Sequence, residues 1–182
     1  MANCKGVTTP MCSSLPPKAA DGSPHADTTL YQRTIGKLHY LSFTRPDIAF
    51  AVNKLSQFMQ SPSLEHWKAV KKVFRYLKAS STSCLQISSH SNSNMYMYAD
   101  ADWAGDPSDR ISTSGYILFL GPNLICWSSK KQQLVARSSI EAEYKSVANA
   151  LSELTWVHNL LTELRYQVSQ TPRFFCDNIG VS

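Results

Sequence analysis

Met95-Tyr96-Met97-Tyr98-Ala99-Asp100 alternates with a period of two, placing Met95, Met97 and Ala99 on one face and Tyr96, Tyr98 and Asp100 on the other. That period specifies a strand whose tyrosine face ends in a carboxylate. Downstream, Gly115-Tyr116-Ile117-Leu118-Phe119-Leu120 and Leu124-Ile125-Cys126-Trp127 read as two more strands around the turn Gly121-Pro122-Asn123. A long helix is predicted from about Ser139 to Leu164, with Tyr144, Val147, Leu151, Leu154 and Leu161 as its apolar stripe. Arg173 to Cys176 forms a short aromatic strand that ends at Asp177. Three strands, a helix and a strand indicate a mixed sheet, with the helix crossing over between two parallel strands.

Upstream the period is helical. Leu30, Thr34, Leu38 and Leu41 predict one helix, ended by Thr44-Arg45-Pro46, where the proline can open the next. Ile48, Val52, Leu55 and Phe58-Met59 mark that second helix, which stops at Ser61-Pro62. The third, from about Ser63 to Ala79, carries an apolar stripe of Leu64, Trp67, Val70, Phe74 and Leu77. A second stripe holds Lys68, Lys71, Lys72, Arg75 and Lys78, roughly a third of a turn away. Such a stripe is either a solvated face or a surface that tracks a phosphate backbone. Residues 1–28, with Pro10, Pro16, Pro17 and Pro24, read as an extended lead-in. The fold class is therefore α+β, with a helical segment over 29–80 and a sheet domain over 94–182.

If the crossover makes the first and last strands parallel neighbours, Asp100 and Asp177 meet at one edge of the sheet, where open sheets place their chemistry. Glu143 lies in the first turns of the crossover helix and faces inward, where a lone carboxylate is costly. Glu141 faces away and, with Ser138, fits the Ser-x-x-Glu capping box. Spacing alone leaves two readings of the three acids: surface and capping groups, or a metal site. Hard oxygen ligands without Cys or His would favour Mg²⁺ or Mn²⁺. The run Asp100-Ala101-Asp102-Trp103-Ala104-Gly105 is not an EF-hand, because Ile111 stands where the closing Glu belongs.

The 182 residues, 43% hydrophobic and 17% charged, suffice for a packed core and exclude a disordered chain. No apolar run approaches the roughly 20 residues of a membrane span, so no membrane partner is expected. The five cysteines are scattered without a Cys-x-x-Cys pair, which argues against a disulfide framework or zinc and for a reducing, intracellular setting, cytoplasmic or nuclear. A net charge of +5 permits an acidic partner.

Several ordered segments resemble the end of the Pol polyprotein of copia-type LTR retrotransposons: Thr44-Arg45-Pro46-Asp47-Ile48, His66-Trp67-Lys68-Ala69-Val70, Asp100-Ala101-Asp102-Trp103-Ala104-Gly105, Ser112-Thr113-Ser114-Gly115-Tyr116, Trp127-Ser128-Ser129-Lys130-Lys131-Gln132, Glu141-Ala142-Glu143-Tyr144 and Cys176-Asp177-Asn178. The resemblance spans nearly the whole chain and covers the reverse transcriptase tail, thumb or connection, followed by a ribonuclease H domain. It implies a ribonuclease H-like mixed sheet, with Asp100, Glu143 and Asp177 as catalytic, metal-binding acids. Two Mg²⁺ or Mn²⁺ ions would be held there, Asp100 facing both and Asp177 and Glu143 each completing one side. The implied reaction is endonucleolytic cleavage of the RNA strand of an RNA–DNA hybrid during reverse transcription. Lys68, Lys71, Lys72, Arg75 and Lys78 become nucleic-acid-binding residues, and the remainder of a Pol polyprotein becomes a partner.

The family pattern also has a further strand and a last helix with a fourth metal-binding Asp, neither of which precedes Ser182. The expectation is thus a C-terminally truncated domain. Ile111 replaces a usual basic residue and Ile140 a usual Thr. The alternative is a catalytically inactive remnant that retains at most nucleic-acid binding.

Overall fold

The computed structural model describes residues 4–12, 17–18, 22–89, 92–106 and 109–177. Parts of the lead-in, with Pro16 in it, and Asn178 lie outside these residues. The chain divides into two compact units, Met1–Leu85 and Gln86–Ser182.

In the first unit, helix α1 runs over Thr28–Ser42, capped by Asp27, whose carboxylate accepts the Leu30 N–H at 2.9 Å. It buries Tyr31, Thr34, Ile35 and Leu38. Tyr31 takes the inward place expected of Leu30, because its hydroxyl donates to the Leu55 carbonyl at 2.8 Å and enters the core satisfied. A 3-10 turn over Pro46–Ile48 leads into α2, Ala49–Ser56. The helix ends before Ser61, since the N–H of Phe58 turns back to Leu55 at 3.2 Å and tightens the last turn. Helix α3, Leu64–Ala79, opens on a reciprocal cap: Ser63 Oγ accepts the His66 N–H at 3.2 Å, and Ser63 N–H donates to His66 Nδ1 at 2.9 Å. His66 Nε2 then pairs with the Lys18 carbonyl at 2.9 Å, so both ring nitrogens of this buried histidine are satisfied and its role is structural.

The Thr44-Arg45-Pro46-Asp47 motif ties α2 to the end of α3. Arg45 grips Asp47 at 2.9 and 2.7 Å and reaches Ser80 Oγ at 2.7 Å, while Tyr76 OH donates to Asp47 at 2.7 Å. The guanidinium holds the Asp47 carboxyl below the usual carboxylate range.

The second unit is a four-stranded sheet of order β3-β2-β1-β4, formed by β1 Met95–Asp102, β2 Thr113–Leu120, β3 Asn123–Lys131 and β4 Arg173–Phe175. Strands β1, β2 and β3 pair antiparallel, and β4 lies parallel to β1. Helix α4, Ser139–Glu163, makes the crossover and packs on β1 and β2. The architecture is α+β, helices followed by a mixed sheet, and it is compatible with a ribonuclease H-like fold. Among the described residues, no helix is long and apolar enough to cross a membrane.

The stripe of α4 differs from the one expected. Ala142, Glu143, Ser146, Ala150, Leu154 and Val157 are buried, whereas Tyr144 is 53% and Leu151 43% exposed. Small side chains let the helix axis approach the sheet closely, and the larger apolar residues are displaced to its flank. Ser146 Oγ completes the contact, donating to the Asp100 carbonyl at 2.7 Å.

Enlarging the contact is therefore more damaging than trimming the flank. Ala150→Leu should cost about 1–3 kcal/mol in urea unfolding, and Leu151→Ala about 0.5 kcal/mol or less. A larger loss for Leu151→Ala would contradict this packing.

Candidate metal centre

The parallel register delivers the first two acids. Its last pair is Tyr98↔Phe175, and two residues further along each chain lie Asp100 and Asp177. Both carboxylates are exposed. Helix α4 supplies the third from beneath: Glu143 is 6% exposed, and its Oε2 is buried with no hydrogen-bond partner. The Ala101 N–H reaches this carboxylate. Each of the three acids offers an oxygen within 4.8 Å of the others.

Burial raises the Glu143 carboxyl above the usual glutamate range, and the charges of Asp100 and then Asp177 push it the same way. An acid held in this way is an unfinished arrangement, since its ionised form lacks a counter-charge. The donor set, all carboxylate oxygens with one left unpartnered, suits a hard divalent cation. Beside Asp100 and Asp177, the face of the sheet opens into a cavity of about 530 Å³ lined by Tyr98, Ile117 and Phe175. Tyr98 and Phe175 stack there with ring centroids 4.8 Å apart.

Neighbouring acids have other tasks. Asp102 accepts the Thr113 N–H, and Lys131 bridges Asp106 at 2.9 Å and Asp109 at 2.6 Å. Ser138 caps α4 through the Glu141 N–H at 3.1 Å, as expected. Glu141, however, reaches back one residue further than a capping box requires, to the Arg137 N–H at 2.7 Å, and pairs with Lys145 at 2.8 Å. Sequence reasoning missed Ser146 and Gln132, which set the depth of α4: Gln132 Nε2 donates to Ser114 Oγ at 2.8 Å and to the Ala142 carbonyl at 3.0 Å. The recurrence of small residues at 142, 146 and 150 was the available signal.

The five cations of α3 belong to the other unit. Lys68 pairs with Glu65 on the same helix, Arg75 Nε donates to the Lys5 carbonyl at 2.7 Å, and Lys78 Nζ donates to the Cys4 carbonyl at 3.1 Å. Lys71 is exposed and Lys72 half-buried.

A raised carboxyl destabilises the fold once it ionises. In chelator-treated protein, Glu143→Gln should gain stability at pH above the raised value by removing the buried charge. The gain should vanish below the ordinary glutamate value and grow as pH rises through the raised one. Urea unfolding across that window checks it, and a gain of equal size at acid pH would contradict the assignment.

No protein-family model matches the chain, and no solved structure matches it. Curated proteins do. The chain is 48% identical over 182 residues to a retrovirus-related Pol polyprotein from transposon RE2 of Arabidopsis thaliana, which covers all of this chain and 12% of that protein. It is 47% identical, over the same shares, to the corresponding polyprotein from transposon RE1. The polyprotein from transposon TNT 1-94 of Nicotiana tabacum is 37% identical over 171 residues, 90% of this chain and 13% of the relative. The chain thus spans 12% of the length of the first two relatives and corresponds to one segment of such a polyprotein. With identity of this level running through both the helical unit and the carboxylate-bearing sheet, the chain belongs to the Pol polyproteins of copia-type retrotransposons.

Proposed function

We propose that the sheet unit is a ribonuclease H-type centre that holds two divalent cations, Mg²⁺ or Mn²⁺, and cuts the RNA strand of an RNA–DNA hybrid within a retrotransposon Pol polyprotein. The observation that carries this reading is the convergence of Asp100, Glu143 and Asp177 within 4.8 Å, with a buried Glu143 oxygen that has no partner. Asp100, Glu143 and Asp177 would together hold the cations. When bound, the cations supply positive charge to the attacking and leaving oxygens of a phosphodiester. Asp100 and Asp177 present their carboxylates at the exposed end of the sheet, where a strand can enter. Glu143 stays fixed, because Ser146 and Gln132 hold α4 against β1 and β2.

Hybrid binding in this reading rests on shape, phosphate and 2′-hydroxyl contacts, with no need for base readout. Lys71 and Lys72 of α3 contribute phosphate contacts, beside Lys68, Arg75 and Lys78, which also have partners within their own unit. The setting is intracellular, cytoplasmic or nuclear, in keeping with five cysteines that form no disulfide.

The test is cleavage of a labelled RNA–DNA hybrid by the purified chain in Mg²⁺ or Mn²⁺. Metal-dependent cleavage that falls to background in Asp100→Asn, Glu143→Gln and Asp177→Asn is expected. A folded protein, checked by circular dichroism, that binds hybrid without cutting it would favour the inactive, binding-only alternative. In parallel, Lys71→Ala with Lys72→Ala should weaken hybrid binding uniformly across sequences and lower the salt slope by about 2. An unchanged slope would remove α3 from the binding surface.

A further inference from the structure

Two of the five cations on α3 are already engaged by peptide oxygens from the opposite end of the unit. Arg75 Nε donates to the Lys5 carbonyl at 2.7 Å, and Lys78 Nζ donates to the Cys4 carbonyl at 3.1 Å. Between these anchors and the core, the backbone runs tight against the helix. A Cβ built on Gly6 would stand 2.7 Å from Ala79 Cβ and 3.4 Å from Ala79 Cα, so only glycine fits there. Further along, Met11 packs on the cluster of Tyr31, Ile35 and Val70. Residues 4–12 thus form a strap without regular secondary structure, fastened at one end by Met11 and at the other by cation-to-carbonyl bonds.

The two fastenings differ in kind. Met11 is held by apolar burial, which salt and anions leave in place. The carbonyls of Cys4 and Lys5 are neutral acceptors, and a phosphate oxygen carrying charge makes the stronger partner for the same Lys and Arg donors. Peptide oxygens therefore occupy the places where phosphate oxygens would sit.

We infer that residues 4–12 are a strap over the basic face of α3 that competes with a nucleic-acid backbone for Arg75 and Lys78. Lys71 and Lys72 make the first contact, and displacement of the Cys4-Lys5-Gly6 end then releases two further donors. The inference rests on reading α3 as a nucleic-acid surface, and it adds that the surface is partly self-covered.

Gly6→Val lifts the strap without touching a cation. Fluorescence anisotropy of a labelled RNA–DNA hybrid against the full chain should show tighter binding for Gly6→Val than for wild type. Its salt slope should match that of wild type, because Arg75 and Lys78 reach phosphate in the bound state of both proteins. Adding Arg75→Ala and Lys78→Ala should remove the gain in affinity and lower the slope by about 2. Equal or weaker binding by a folded Gly6→Val protein would overturn the strap while leaving the α3 surface standing. No binding by either protein would overturn the α3 reading and the strap with it. Wild-type protein gives an independent readout: trypsin should cut the Lys5–Gly6 bond faster when hybrid is present at saturation. An unchanged or slower rate would overturn the competition.

Discussion

Ser146 stands one turn after Ala142 on α4, and its hydroxyl donates to the carbonyl of Asp100 at 2.7 Å. That bond can form only because Ala142, Ser146 and Ala150 let the helix lie close on β1 and β2. Larger residues at those positions would lift α4, and Glu143 would no longer reach the end of β1. The same Asp100 whose backbone receives Ser146 presents its side chain to the carboxylate cluster, so the packing of the helix and the geometry of the site are one constraint. Gln132 reinforces it from the end of β3 by holding the Ala142 carbonyl at 3.0 Å.

Electrostatics divides the acids at this end of the sheet into two groups. Asp106 and Asp109 share Lys131, and Glu141 has Lys145 and the Arg137 N–H, so each of these acids has a cationic partner. Asp100, Glu143 and Asp177 are brought together, with the Ala101 N–H turned to Glu143. Burying an unbalanced charge costs stability, and folds accept that cost where a ligand supplies the missing charge. The contrast with these partnered acids is what singles out this trio among the acids around it.

Much of this was legible in sequence because the deciding signals are local. The period of two in Met95, Met97 and Ala99 gave the buried face of β1, and the order of strands and helix gave the parallel pairing that brings Asp100 beside Asp177. The stripe of α4 was misread because hydrophobicity selects Tyr144 and Leu151, whereas the contact is decided by smallness. In α1 the same weighting favoured Leu30 over Tyr31, whose buried hydroxyl depends on the distant Leu55 carbonyl. The cations of α3 were visible as charge, but the partner of Arg75 lies 70 residues away in sequence, where no periodicity points to it.

The central claim is that three carboxylates form a divalent-cation site whose third member is held in place by the packing of α4. Calorimetric titration of metal-stripped full chain with Mn²⁺ tests it without requiring turnover. The account predicts saturable binding that is lost in Asp100→Asn and weakened in Ser146→Val, which leaves every carboxylate intact but removes the bond that sets the depth of Glu143. Folded protein that binds no Mn²⁺, or binding unchanged in Asp100→Asn, would contradict it.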